Sequence, residues 1–196
     1  MPWVRAPQSA IRVKVTLKGL KPPIWRRLLV EDTMTLGHLH FAVQAAMGWE
    51  NSHLHLFLVD GEQIGDPKRL DEVADEGRVT VGGLAGRGCK SFAYVYDMGD
   101  DWEHAIAIEG SGPIEPGRAY PACVGGKRAC PPEDSGGPWG FADLLEAVAD
   151  PGDERHAEAR EWLGEFDPAA FSVEAAEARL RAWFAPKPAR KPRGKR

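Results

Sequence analysis

Two extended stretches separated by a turn occupy residues 11–30, IRVKVTLKGLKPPIWRRLLV. In residues 11–17, apolar side chains alternate with polar ones, which is the period of a strand that buries one face. Residues 19–23 carry a glycine and two prolines, which favour a turn, and residues 24–30 resume an extended pattern. This stretch predicts an antiparallel hairpin at the start of the fold.

An amphipathic helix is predicted directly after the hairpin. Thr35 suits the N-cap of that helix, and Gly48 suits its C-cap. The residues that recur at helical spacing between them are Leu36, Leu39, His40, Val43 and Met47. His38 and His40 lie two residues apart on the helix and therefore point in different directions, so we do not expect them to share a ligand.

Two further hairpins follow the helix. The first pairs residues 53–59 with residues 63–64 around Asp60-Gly61, a dipeptide that favours tight hairpin turns. The second pairs residues 92–96 with residues 102–108. We predict an α+β fold: a mostly antiparallel sheet built from hairpins, with one covering helix in a grasp-like arrangement.

The later part of the chain changes in style. Residues 111–140 are rich in glycine and proline, so we predict a long irregular loop. The loop is expected to be ordered, because Tyr120, Cys123, Cys130 and Trp139 are residues of the kind that proteins bury. Apolar residues then return at helical spacing from Phe141 onward, which predicts three C-terminal helices.

Charge is divided unevenly along the 196 residues. Six of the 25 basic residues lie in residues 185–196, which contain no acid, so residues 1–184 keep 19 against 29 acids, a formal charge of −10. We predict an N-terminal extension at residues 1–10, a single domain at residues 11–184 and a disordered basic tail at residues 185–196. The tail residues that could contact DNA are Lys187, Arg190, Lys191, Arg193, Lys195 and Arg196.

The sequence contains no apolar run long enough for a membrane span, and residues 1–10 lack the apolar core expected of a signal sequence. We therefore expect a cytoplasmic protein, in which Cys89, Cys123 and Cys130 remain thiols.

Two short segments concentrate groups that could carry chemistry. His53 and His55 would point from the same face of a strand, a spacing that suits a metal or an anion, although packing alone would also explain the pair. The turn YDMGDDWEH, residues 96–104, carries four carboxylates and an imidazole. Such a turn could hold a cation or a basic partner, or it could simply be solvated, and its spacing does not fit a calcium-binding loop.

The cysteines give a weaker signal. Cys123 and Cys130 are separated by six residues, which is not the spacing of a zinc knuckle. With histidines they could complete a site for zinc or another divalent metal, whose candidate ligands are His53, His55, His104, Cys123 and Cys130. The alternative is that both are buried thiols that only pack.

The motifs resemble the plasmid pRiA4b open-reading-frame-three-like family, whose members are often described as insertion-element passenger proteins of TnpR type. The resemblance runs from about residue 11 to residue 184. It rests on IWRR at 24–27, AMGWENSHLH at 46–55, YDMGDDWEH at 96–104, ACPPED at 129–134 and GGPWG at 136–140. It implies an α+β domain associated with plasmids and mobile genetic elements. The acidic body argues against the DNA grip that a resolvase needs.

These observations leave three interpretations of function. The leading one is a non-enzymatic accessory domain that recognises a protein or nucleic-acid partner through a groove. The residues expected to line that groove are His53, His55, Asp97, Asp100, Asp101, Trp102, His104, Glu133 and Asp134. The second is a metal-dependent hydrolase, with nucleic acid as a candidate substrate, in which a metal-bound water is the nucleophile. The third is that the motifs only stabilise the long loop.

Overall fold

The computed structural model describes residues 6–185, which fold into eight strands and five helices. The strands are β1 (Ala10–Leu17), β2 (Ile24–Glu31), β3 (His55–Val59), β4 (Glu62–Gly65), β5 (Ala74–Asp75), β6 (Ser91–Tyr96), β7 (Trp102–Gly112) and β8 (Ala122–Lys127). The helices are α1 (Leu36–Met47), α2 (Val81–Gly86), α3 (Gly137–Ala149), α4 (His156–Leu163) and α5 (Val173–Phe184).

All eight strands join one sheet in the order β5-β4-β3-β6-β7-β1-β2-β8. Every neighbouring pair is antiparallel except β4 and β5, which are parallel. The sheet is not closed, because β5 and β8 are not paired to each other. The predicted α+β class and the mostly antiparallel sheet are confirmed.

The three predicted hairpins are present. In the first, β1 pairs with β2, and Val13 lies opposite Leu28 with both side chains fully buried. In the second, the turn between β3 and β4 is made by Asp60 and Gly61, which have φ values of 51° and 84°. The third joins β6 and β7. Alternation of apolar residues predicted these strands because each buries one face.

Helix α1 has the predicted caps. The Thr35 side chain accepts a hydrogen bond from the backbone N–H of His38, and Gly48 ends the helix in the left-handed region at φ 98°. Nine of the twelve residues of α1 are buried. This burial extends beyond one face because α5 also packs on α1, where the Arg179 Nε donates to the Ala45 carbonyl at 2.8 Å.

The predicted irregular loop at residues 111–140 contains a strand, so that prediction was wrong in part. Strand β8 pairs with β2, and Trp25 lies opposite Lys127. One of its two glycines is needed for packing: a Cβ on Gly126 would lie 2.4 Å from the Phe171 ring, whereas one on Gly125 would make an ordinary contact with Trp25 at 3.7 Å. The three C-terminal helices are confirmed as α3, α4 and α5, although α3 begins at Gly137, before Phe141. The short elements α2 and β5 were not predicted.

Part of each end of the chain lies outside residues 6–185. β1 begins at Ala10, close to the predicted end of the N-terminal extension. The basic tail from Lys187 to Arg196 lies outside the described residues, so its disorder and its DNA contact stay predictions. Within residues 6–185, no helix combines the length and apolarity needed to cross a bilayer.

Candidate functional site

Three connecting segments meet at one end of the sheet. They are residues 48–54 between α1 and β3, residues 97–101 between β6 and β7, and residues 128–136 between β8 and α3. We call this region the loop end. Six of the nine residues predicted to line the groove lie here, because the start of β3, the end of β6 and the start of β7 are at this end of the sheet.

Glu133 ties these segments together. Its Oε2 accepts a hydrogen bond from the Ser52 hydroxyl at 3.1 Å, and its Oε1 accepts one from the Glu50 backbone N–H at 3.2 Å. The Tyr96 hydroxyl also donates to Oε1. Burial, together with this bond, raises the pKa of Tyr96. Glu133 therefore has a positioning role, because its two oxygens are occupied by groups of the protein itself.

The acidic turn between β6 and β7 is fixed by its own carboxylates. The Asp97 Oδ1 accepts hydrogen bonds from the backbone N–H groups of Gly99 at 3.0 Å and Asp100 at 3.4 Å. The Asp100 Oδ2 reaches across to the backbone N–H of Gly136 at 3.1 Å. The turn is thus attached to the segment that leads into α3, and only part of its negative charge faces solvent.

His53 lies between Asp97 of this turn and Asp134 of the segment that follows β8. Its Nδ1 is 3.5 Å from the Asp97 Oδ2, and its Nε2 is 3.1 Å from the Asp134 Oδ1. One potential ligand atom from each of the three residues lies within 4.8 Å of the others. Among residues 6–185, this is the group of three or more His, Cys, Asp and Glu residues that could hold a metal ion. One imidazole and two carboxylates suit a divalent cation.

The expected side-by-side pair of His53 and His55 is not formed. β3 begins at His55, so His53 precedes the strand and the alternation of a strand does not apply to it. His55 instead stacks on His40, with ring centroids 3.5 Å apart, and its Nε2 lies 2.7 Å from the Glu76 Oε2. The two histidines therefore belong to different clusters.

His40 forms the centre of a buried polar network that the sequence reasoning set aside. Its Nδ1 lies 2.7 Å from the Tyr94 hydroxyl, and its Nε2 lies 2.8 Å from the Asn51 Oδ1. Burial, assisted by the neighbouring His55, lowers the pKa of His40 to about 3. The position of His40 on the apolar face of α1 was the signal that it would be buried.

Trp102 and His104 do not line a groove. They are 1% and 0% exposed, because both point from β7 into the core. The His104 ring packs edge-on against Trp49 at a centroid distance of 5.3 Å. Burial lowers the pKa of His104 to about 4, against an opposing effect of the Trp102 and Tyr94 backbone. The two side chains pack in the core next to the loop end, where a partner cannot contact them.

Cys123 and Cys130 are buried free thiols. Burial raises the pKa of the Cys130 thiol to about 12. Both thiols lie near the Arg26 guanidinium, which shifts their pKa values in the opposite direction. The five-residue zinc set of His53, His55, His104, Cys123 and Cys130 is therefore not assembled, since only His53 belongs to the cluster at the loop end.

Trp139, in the first turn of α3 beside the loop end, is another residue that the sequence analysis placed wrongly. It was expected to be buried, but its side chain is 85% exposed. It lines a depression together with Asp100, Asp101 and Glu103. Lys18 lines the same depression and pairs with Glu103 at 2.6 Å. The available signal was Pro138, directly before Trp139, because proline favours the first turn of a helix, where side chains often project outward.

Comparison with known proteins gives consistent results. The family model described as plasmid pRiA4b ORF-3-like protein matches residues 9–175. The uncharacterized protein y4hQ of Sinorhizobium fredii (strain NBRC 101917 / NGR234) is 45% identical over 162 residues, which cover 81% of this chain and 83% of y4hQ. MM3350, a protein of unknown function from Methanosarcina mazei Go1, has a crystal structure that is similar to this one with a TM-score of 0.81. The two sequences are 36% identical, and the match covers 86% of this chain and 98% of the MM3350 chain.

Proposed function

The chain belongs to the plasmid pRiA4b ORF-3-like family, and from this premise we propose that it is a non-enzymatic accessory domain that binds a cationic segment of a partner protein. The binding surface is the depression at the loop end that Trp139 lines with Asp100 and Asp101. The observation that carries the proposal is the 85% exposure of the Trp139 indole beside carboxylates.

An exposed tryptophan next to acids is suited to arginine and lysine side chains. The face of the indole attracts a guanidinium or ammonium group, and this attraction strengthens when binding removes water. The Asp101 carboxylate makes no hydrogen bond or ion pair within residues 6–185, so it is free to pair with an incoming cation. Lys18 offsets the charge of Glu103, which leaves the depression negative overall.

The depression is held in shape by close backbone contacts. A Cβ on Gly137 would lie 2.3 Å from the Asp100 carbonyl oxygen, and a Cβ on Gly19 would lie 2.8 Å from the Pro138 side chain. The Asp100 Oδ2 also accepts the Gly136 N–H. Trp139 is thus presented from a fixed position, which lowers the entropy cost of binding.

The acidic body supports the same choice of partner. A formal charge of −10 on residues 1–184 repels nucleic acid and steers basic protein segments toward the surface. The proposal includes the wider setting that the sequence suggested, namely an accessory role in the cytoplasm for a plasmid or insertion element.

The proposal is tested with a fluorescein-labelled oligo-arginine peptide in an anisotropy titration. We expect Trp139→Ala to weaken binding by about tenfold and Asp101→Asn to weaken it by a smaller factor. Trp183→Ala is the matched control, because Trp183 is also partly exposed but lies on α5 beside Phe41. Equal losses in the Trp139 and Trp183 variants would contradict the proposal, as would the absence of binding at low salt.

A metal-dependent hydrolase is the second candidate, and the cluster of His53, Asp97 and Asp134 favours it. A cation held there would polarise a water molecule next to an exposed carboxylate. Elemental analysis of protein purified without a histidine tag tests the metal. About one zinc, manganese or iron per chain, lost in His53→Gln, would support this candidate, whereas no metal after reconstitution would remove it.

A further inference from the structure

A second depression, separate from Trp139, brings two arginines together. It lies between the C-terminal end of α1, the segment that follows β8 and the start of α5. Arg26 and Arg179 both line it, together with Cys130 and Ser172. Neither arginine forms an ion pair with any carboxylate of residues 6–185. Two positive side chains in one depression of an acidic protein require a physical explanation.

Arg26 is only 2% exposed, and backbone oxygens hold it in place. Its Nε donates to the Ala46 carbonyl at 2.9 Å, and its Nη1 donates to the carbonyls of Trp25 at 2.9 Å and Lys127 at 3.2 Å. The Phe171 ring covers the guanidinium at 4.3 Å. The Nη2 makes no hydrogen bond to any residue between 6 and 185 and is not one of the fully buried atoms that lack a partner, so this edge of the guanidinium faces the depression.

Arg179 faces the same space from α5. Its Nε donates to the Ala45 carbonyl at 2.8 Å, and its guanidinium lies over Gly48, whose added Cβ would be 3.7 Å from the Arg179 Cζ. Both Nη atoms are without a hydrogen-bond acceptor in the described part of the chain. The C-capping of α1 therefore uses one nitrogen of Arg179 and leaves its outer edge available.

The acids of the neighbouring elements are already engaged elsewhere. Glu177 accepts from the backbone N–H of Cys123 and pairs with Arg181 at 3.4 Å. Glu174 accepts the Ser172 hydroxyl at 2.9 Å. Burial lowers the pKa of Arg26, and the neighbouring Arg179 acts in the same direction. Within residues 6–185, no carboxylate forms an ion pair with either of the two arginines that line this depression.

We propose that this depression binds a phosphate group between Arg26 and Arg179. A cation desolvated without a counter-ion is costly, and the cost is removed when a doubly charged oxyanion accepts hydrogen bonds from both guanidinium edges. The ligand class is a free phosphate or a phosphate monoester. This inference is independent of the cationic-partner proposal, because it involves different residues.

The test is a calorimetric titration of the full chain with inorganic phosphate, and separately with phenyl phosphate, at constant ionic strength. Sodium chloride replaces the phosphate in the reference titration. We expect saturable binding of at least one of the two phosphates, and a midpoint of thermal unfolding that rises with phosphate but not with chloride. Binding of phenyl phosphate alone would assign the site to monoesters, and binding of both would assign it to the phosphate group.

Variants identify the site. Arg179→Gln should weaken phosphate binding by about tenfold or more, because it removes a charge and two donors. Arg181→Gln is the matched control: it is the same substitution on the same helix, at an exposed residue paired with Glu177. Arg26 is not substituted because its loss would also break three backbone contacts. Equal effects of the two variants would overturn the proposal, as would a wild-type response to phosphate no larger than that to chloride, a result that does not depend on any variant folding.

Discussion

Lowering the pH should destabilise this protein through two buried histidines. His104 is fully buried with a pKa of about 4, and His40 is buried with a pKa of about 3, whereas both would titrate near 6.5 in an unfolded chain. As the pH falls, each of these histidines is therefore protonated at a higher pH in the unfolded state than in the folded state. Stability is lost as the pH falls below the unfolded value, and the loss levels off near the folded pKa values.

The size of the effect follows from these values. At about pH 5 an unfolded histidine is almost fully protonated while folded His104 is still neutral, and this difference costs about 2 kcal/mol relative to pH 7. His40 adds a similar amount by the same reasoning. We expect the wild-type protein to lose about 4 kcal/mol of unfolding free energy between the two pH values, and His104→Gln, which removes one titration, to lose only about half as much.

The assay is urea unfolding followed by tryptophan fluorescence at both pH values. His38→Gln is the control, because His38 is exposed and the same substitution there should leave the pH dependence unchanged. The reasoning would be refuted if His104→Gln and the wild-type protein lost the same free energy on acidification, since the proton taken up on unfolding would then bind elsewhere.

Three further predictions rest on packing. Gly137→Ala should lower the free energy of unfolding measured in urea by about 2 kcal/mol or more. The φ of Gly137 is 69°, and the new methyl group would clash with the Asp100 carbonyl oxygen. An unchanged urea midpoint would contradict this close approach. Trp102→Ala should cost about 3–5 kcal/mol, whereas Trp139→Ala should stay within about 0.5 kcal/mol, and the same unfolding assay compares them. In thiol labelling of the native protein, Cys89 should react well before the two buried cysteines, and equal rates for all three would show that those thiols are accessible.

The strands that bury one face could be predicted from the sequence because the required information is local. In β1, alternation alone places Val13, Val15 and Leu17 in the core. β8 could not be predicted in this way. Its glycines suggested a loop, but Gly126 makes room for the close approach of Phe171, a residue more than forty positions later in the chain.

The candidate site was also predicted only in part from the sequence. The sequence analysis grouped His53 with Asp97 and Asp134 in one groove, and the structure brings these three residues together. It placed His53 in the strand, although β3 begins two residues later at His55. The exposure of Trp139 was missed because composition describes how often a residue type is buried and not where a particular helix turn faces.

The position of β1 in the sheet has a consequence for the synthesis of the protein. β1 precedes the other seven strands in the chain and leaves the ribosome before them, but it is an interior strand whose second neighbour, β7, ends only at Gly112, and Val13 pairs with Ile108. Until residue 112 has emerged, one edge of the N-terminal hairpin has unsatisfied backbone groups and an uncovered apolar face. Folding of the sheet therefore requires a contact between residues that are separated by about half the chain, and such long-range contacts slow folding. Any fragment that ends before β7 should aggregate, and the nascent chain should be a client of chaperones.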